Sequence, residues 1–271
     1  MSSVKETHRL PTNPFEQTDR SILPSVPRPH VPDYKGRRGL VRDFLREVQD
    51  FIDALEYNHT LHTYFNLNKF RNVSRILETG KEIARECLPI KCLEAVFLSL
   101  YLTQDCPGVE RIPLSLTSHW EGHEYRHVVC CTWDGDQQFG ALGISRRKEL
   151  AYKPMHYRSL ADLVFEFADS YAKYGHQLLR IHLGLPVTHE WCCMDPLCWR
   201  ILSLSTRAAT AGSAAARARL ADTLRAFVER IPQLRTRWQA NRFVKLARKQ
   251  FPPGLLHDDE EECTSGDEDS G

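Results

Sequence analysis

Residues Leu88–Thr103 read LPIKCLEAVFLSLYLT, and the fold hangs on how this stretch is placed. Pro89 closes whatever precedes it, and from Cys92 onward the apolar residues crowd together as in a buried helix. A cysteine on the first turn of that helix, directly after Lys91, sits where a thiolate forms most easily. Working back, Leu40, Val41, Phe44, Leu45, Val48, Phe51, Ile52 and Leu55 recur at helical spacing, which predicts an amphipathic helix ending near Tyr57–Asn58. A second helix is expected over Val73–Cys87 and the third from about Lys91. After Pro107–Gly108 the pattern changes. Ile112–Thr117, Tyr125–Trp133 and Phe139–Ser145 read as antiparallel strands, with a turn at Asp134–Gly135. A helix over Ser159–Tyr174 and a strand within His176–Val187 follow. Helices first and a sheet second predict an α+β class, with N-terminal helices packed on an antiparallel sheet.

This core is expected to span 37–204, with helices over 37–106 and the sheet with its own helices over 107–204. Residues 1–36 carry six prolines among polar residues and read as a disordered or extended arm. Residues 205–251 read as a helical extension that Gly212 and Pro232 should break or kink. From Arg217 to Lys249 there are ten Lys or Arg against two acidic residues, whereas 252–271 read as a disordered acidic tail.

With 271 residues and 42% hydrophobic content the chain can bury a substantial core. A net charge of +1 argues against a general nucleic-acid binder. The N-terminus lacks the apolar stretch of a secretion signal, and the longest apolar run, near Ala95–Leu102, is too short to span a bilayer. Nine cysteines then read as reduced thiols, and the expected compartment is the cytoplasm.

A cysteine peptidase needs a thiolate, an imidazole that shares its proton and a group that orients the imidazole. Cys92 opens an apolar helix and His127 lies in the expected strand EYRHVVCCTW, while Asp134, Glu124 and Ser145 are all conceivable orienting partners. Each has a plainer reading, Cys92 as a small core residue and His127 as a core histidine bonded to backbone. The run THEWCCMDPLC lacks the paired spacing of a zinc site, so no metal is expected. The arginines of 217–249 suit an acidic surface better than nucleic acid, and the apolar residues among them suit docking on the core.

The segments ALEYNHT (Ala54–Thr60), LPIKCLEAV (Leu88–Val96), YRHVV (Tyr125–Val129) and FGALGISRRKEL-YKP (Phe139–Pro154, with Ala151 intervening) resemble the vasohibins in order and in interval. Vasohibins are transglutaminase-like cysteine peptidases that remove the C-terminal tyrosine of α-tubulin. The resemblance covers about residues 40–185. It implies a transglutaminase-like or papain-like core with Cys92 as nucleophile, His127 as base and Ser145 as third member. It further implies that Tyr57, Lys91 and Arg146 hold the substrate terminus. Lys69 and Arg71 align with basic residues turned towards the acidic tubulin tail, Asn68 standing where the family has a further lysine, and Arg147 is another candidate. No cofactor is implied. The implied partners are the α-tubulin tail, microtubules and a small vasohibin-binding-protein-like helix, although the helix from Leu40 could pack within the chain instead. The competing expectations are a microtubule-binding module without activity and a transglutaminase-like acyl transferase.

Overall fold

The computed structural model describes residues 28–35, 40–135 and 138–250, with 242–250 as backbone only. Residues 1–27 of the expected arm and the whole acidic tail therefore lie outside the described residues.

Helix α1, Val41–Ala54, buries Phe44, Leu45, Val48, Phe51 and Ile52 along one face. It stops short of Tyr57 because Glu56 adopts a positive φ of 62°. That turn sends the chain alongside Ile90, where the Asn58 N–H donates to the Ile90 carbonyl (2.8 Å) and the Ile90 N–H to the Glu56 carbonyl (3.1 Å). Helix α2, Val73–Glu86, begins at Asn72, whose side chain accepts the Arg75 N–H. It ends at Cys87 in the left-handed conformation, ahead of Pro89. Helix α3, Cys92–Leu102, is buried on nearly all sides and packs tightly on α2. A Cβ at Gly80 would stand 2.5 Å from the Phe97 carbonyl oxygen, so only glycine permits this approach.

Strands β1 (Glu110–Trp120) and β2 (His123–Trp133) form a long hairpin. Its two-residue turn, Glu121–Gly122, has positive φ at both positions, 46° and 85°, as a type I′ turn requires. The remaining elements are β3 (Phe139–Leu142), β4 (Lys153–Tyr157), α4 (Leu160–Ala172), β5 (Gln177–Leu183) and β6 (Leu202–Ser205). They complete a six-stranded antiparallel sheet in the order β4-β3-β2-β1-β5-β6. Strand β4 contains Pro154, which argues against a central strand, and it lies at the sheet edge, where proline is tolerated. Strand β6 forms the other edge.

The fold is α+β, as expected. One hydrophobic cluster joins α1, α2 and α3 to one face of the sheet, and a second joins α4 and the C-terminal helices to the other. Along β2 the alternation sends Cys130 into the first cluster and Val129 and Cys131 into the second.

The extension comprises α5 (Arg207–Thr210), α6 (Ala214–Glu229) and α7 (Ile231–Gln250). Gly212, at φ 94°, lies in the turn between α5 and α6. Pro232 occupies the first turn of α7, where its missing N–H costs nothing, so the break falls at Arg230. Leu220, Leu224 and Phe227 bury into the α4-side cluster, and Arg235 on α7 pairs with Glu110 at 2.8 Å. At the other end, residues 28–35 run extended across the body. Pro32 is buried, Tyr34 meets Phe44 edge-on at 5.0 Å, and Arg28 donates to the Arg85 carbonyl at 3.1 Å. Among the described residues no helix is long and apolar enough to cross a membrane.

Candidate active site

Cys92 is the first residue of α3, and the four N–H groups at a helix start have no partner within the helix. The N–H groups of Cys92 itself and of Leu93 point at the Cys92 sulfur, joined by the N–H of Val128 on β2. Strand β3 pairs with β2 only from Cys130 to Trp133, so residues 123–128 present an open strand edge. The α3 N-terminus sits against that edge, with its thiol beside the backbone that carries His127.

The thiol is nevertheless not a resting thiolate. Burial pushes its pKa up, the three surrounding N–H groups oppose that shift, and the Glu94 carboxylate adds to it. Lys91 does not help as the sequence implies. Its N–H donates to the Glu94 Oε2 at 2.6 Å, capping the helix, and its ammonium reaches the Leu61 carbonyl at 3.4 Å. The lysine fixes the helix start, and its charge is turned towards the loop that follows Tyr57.

His127 follows the strand alternation onto the α4 side, with Val129. Its Nε2 lies 2.8 Å from the Leu150 carbonyl oxygen. A carbonyl can only accept, so Nε2 carries the proton and Nδ1 keeps its lone pair. Burial pushes the imidazole pKa down to about 4, and the Leu150 bond opposes the shift. The thiol therefore rests protonated and the imidazole neutral. The ring partner in the structure is the Leu150 carbonyl, where the resemblance implies Ser145 as the third member. The Ser145 hydroxyl accepts the Arg147 N–H at 3.3 Å within its own turn. A main-chain carbonyl bears no residue signature, which is why side-chain reasoning did not single it out.

The segment 143–150 that supplies these groups is splinted by α1. Gln49, fully buried, donates to the Gly143 carbonyl (2.8 Å) and accepts the Gly143 N–H (3.1 Å). This places Arg146 so that its guanidinium lies 5.7 Å from the Tyr57 ring centroid. Tyr57 is itself pinned beside Ile90, two residues ahead of Cys92. Tyr57 and Arg146 thus lie together beside the segment that leads into Cys92, and the guanidinium is a cation suited to a carboxylate. Arg147 turns elsewhere, lying 4.8 Å over the Tyr174 ring.

Two further groups of residues lie near the site, and of their members only Lys69 is expected from the sequence. On the α4 side Tyr171 lies near Cys92 and bonds Ser118, whose hydroxyl is 3.1 Å from the His176 Nδ1. Trp120 and Tyr125 pack around that imidazole, with centroids at 5.6 and 5.0 Å, and remain partly exposed. Local sequence does not mark this group, because the hairpin and α4 bring its members together, with Tyr125 on the same face of β2 as His127. On the α3 side Lys69 comes near Arg126, Arg180 and Arg200, grouped around His182. Arg71 does not join them. Its guanidinium is spent on the Asn66 and Asn68 carbonyls and the Thr79 hydroxyl (2.8, 3.1 and 2.8 Å), so it braces a loop. His189 and Cys193 belong to a different surface, and among the described residues no His, Cys, Asp or Glu group is arranged to hold a metal ion.

Two comparisons with known proteins place the chain. A family model described as Vasohibin matches residues 2–225. Tubulinyl-Tyr carboxypeptidase 1 of Mus musculus is 38% identical over 178 residues, a match covering 66% of this chain and 47% of that protein. The aligned stretch thus spans about half the length of the relative.

Proposed function

The chain belongs to the vasohibin family, and on that premise we propose that it is a cysteine-type carboxypeptidase that removes the C-terminal tyrosine of α-tubulin. The observation that carries the proposal is the meeting of Cys92, at the α3 N-terminus, with the open β2 edge bearing an imidazole whose Nε2 is fixed on Leu150. The site suits attack on a carbonyl. His127 Nδ1 takes the Cys92 proton as the sulfur adds to the carbonyl before the terminal tyrosine. The α3 N-terminal N–H groups, released from the sulfur, face the oxyanion. The imidazolium then returns its proton to the departing amine, and water, deprotonated by the same nitrogen, cleaves the thioester. The Leu150 carbonyl steadies the ring in one tautomer through both steps without offsetting a full charge.

Arg146, Lys91 and Tyr57 would hold the free terminal carboxylate, which makes the activity an exopeptidase, while Lys69 and its basic neighbours would receive the acidic residues upstream. Cys92, His127 and these contacts are carried as proposals, and Ser145 as a member of the same turn. Microtubules in the cytoplasm are the proposed place of action. A small helical partner of the vasohibin-binding-protein kind is proposed as an addition to the site, because the apolar face of α1 is already buried within the chain.

The test is release of free tyrosine from an acidic peptide ending in tyrosine and from the same peptide ending in tyrosine amide, each with and without a helical partner. Release from the free acid only is expected. Equal release from both would remove the carboxylate contacts from the account. Microtubule pelleting without any release under either condition would favour the inactive binding module.

A further inference from the structure

Beyond α3, the sheet face on that side is polar. Strand register places Arg126, Thr117, Arg180 and Ser205 in one row. Val128, Ser115, His182 and Ser203 form the next. His182 therefore shares a row with Val128, whose N–H meets the Cys92 sulfur, and lies two strands away. At about 4.8 Å per strand that is about 10 Å, the reach of about three residues of extended peptide.

The imidazole is half-buried, and its Nδ1 is 2.8 Å from the Ser203 hydroxyl. Four cations lie around it, Lys69 ahead of α2, Arg126 on β2, Arg180 on β5 and Arg200 ahead of β6, while β1, which pairs with its strand, presents Ser115. Glu124 is the nearby carboxylate, and it is committed to Arg180 by two contacts of 3.0 and 3.1 Å. His119 faces the same way on β1, opposite Glu124. In this group the guanidinium and ammonium charges are fixed between pH 6 and 8, and the imidazoles are the groups able to change theirs.

We propose that His182 is a proton-linked contact for the acidic substrate peptide. A carboxylate about three residues upstream of the cleaved bond binds it as imidazolium, and binding draws one proton from solvent onto the ring. The inference rests on the peptidase reading and adds a determinant of substrate preference to it. Before binding, burial and then Arg200, Arg180, Arg126 and Lys69 hold the ring's pKa below its ordinary value. A bound carboxylate cancels part of that field and lets the ring protonate. Peptide affinity must then rise as pH falls, because the bound form takes up the proton that the free form does not hold.

Calorimetry tests this on the full chain carrying Cys92→Ala, so that a glutamate-rich peptide ending in tyrosine binds without cleavage. Titrations at pH 7 in two buffers of different ionisation heat report the protons taken up. The expected result is net uptake, with affinity tightening on the order of three- to tenfold from pH 8 to pH 6. His182→Gln, which keeps a polar partner for Ser203, should bind within about twofold of the parent at pH 8 and lose both the uptake and the pH dependence. Replacing the glutamate three residues before the cleaved bond with glutamine should do the same. Binding without uptake, or uptake unchanged in His182→Gln, overturns the proposal. So does failure to bind, and tyrosine release by the unmodified chain then tells whether the peptidase reading stands without it.

Discussion

The two halves of strand β2 differ in what lies beside them, and in nothing else so clearly. From Cys130 to Trp133 the strand is paired on both sides, by β1 and β3, and its thiols are sealed. Cys130 and Cys131 have no exposure, and burial pushes the Cys130 pKa up to about 12 and that of Cys131 higher. From His123 to Val128 the strand is paired by β1 but not by β3, and the spare edge receives the α3 N-terminus. Cys92 is also raised by burial, yet N–H groups from both the helix and the strand edge surround it and favour its charged form. Thiols within one core thus differ in chemistry according to whether backbone donors are left over to meet them. A neighbouring strand cut short makes the site.

The sharpest way to break this contrast is to remove the imidazole from the open half. His127→Ala should lower kcat for tyrosine release, at equal concentrations of folded protein, by on the order of ten-thousandfold. A loss of less than tenfold in a steady-state assay would leave the thiol without its base. Arg146→Glu should reduce kcat/KM by on the order of a hundredfold, chiefly through KM, and reduce microtubule pelleting far less. Equal losses in both would indicate a general charge effect. In the closed half the expected change is in stability. Cys131→Ser buries a hydroxyl where a thiol packed and should cost about 1–3 kcal/mol in denaturant unfolding, with kcat of the folded protein unchanged.

The smallest expected effect concerns the orienting group. Ser145→Ala should lower kcat by about tenfold or less, since the Leu150 carbonyl holds Nε2. A loss comparable to that of His127→Ala would return the third role to serine. The same bond bears on pH. His127 is held below its ordinary pKa, at about 4, so its ring stays unprotonated, as the proposed base must, when an exposed histidine would already be protonated. The acid limb of kcat/KM should therefore fall below pH 6.5 and extend towards pH 4. Unfolding should oppose it, because the unfolded chain takes up that proton near 6.5 and stability from this group drains away between about 6.5 and 4.

Much of the fold was legible in the pattern of residues. The apolar crowding of Cys92–Leu102, the amphipathic spacing of α1 and the β-branched run of β2 each follow directly from periodicity. Pro154 hid β4, because proline marks either an edge strand or a loop and only the sheet order decides between them. In the site, Cys92 and His127 were legible as residue types at suggestive positions. The Leu150 carbonyl was not, because any residue offers the same atom. Gln49 read as a polar position on α1, and its clamp on Gly143 depends on a contact 94 residues away in sequence. The orientations of Lys91 and Arg71 were invisible for the same reason: long side chains choose among carbonyls that local sequence does not place.

The central claim is that the thiol at the open edge of β2 is the nucleophile. Tyrosine release from tyrosinated tubulin by the intact chain, by Cys92→Ala and by Cys130→Ala, at equal folded concentrations, tests it most directly. The account predicts that Cys92→Ala releases at least ten-thousandfold less than the intact chain, on the order seen when a nucleophile is removed, while folded Cys130→Ala releases as much. Release by Cys92→Ala equal to that of the intact chain would contradict it.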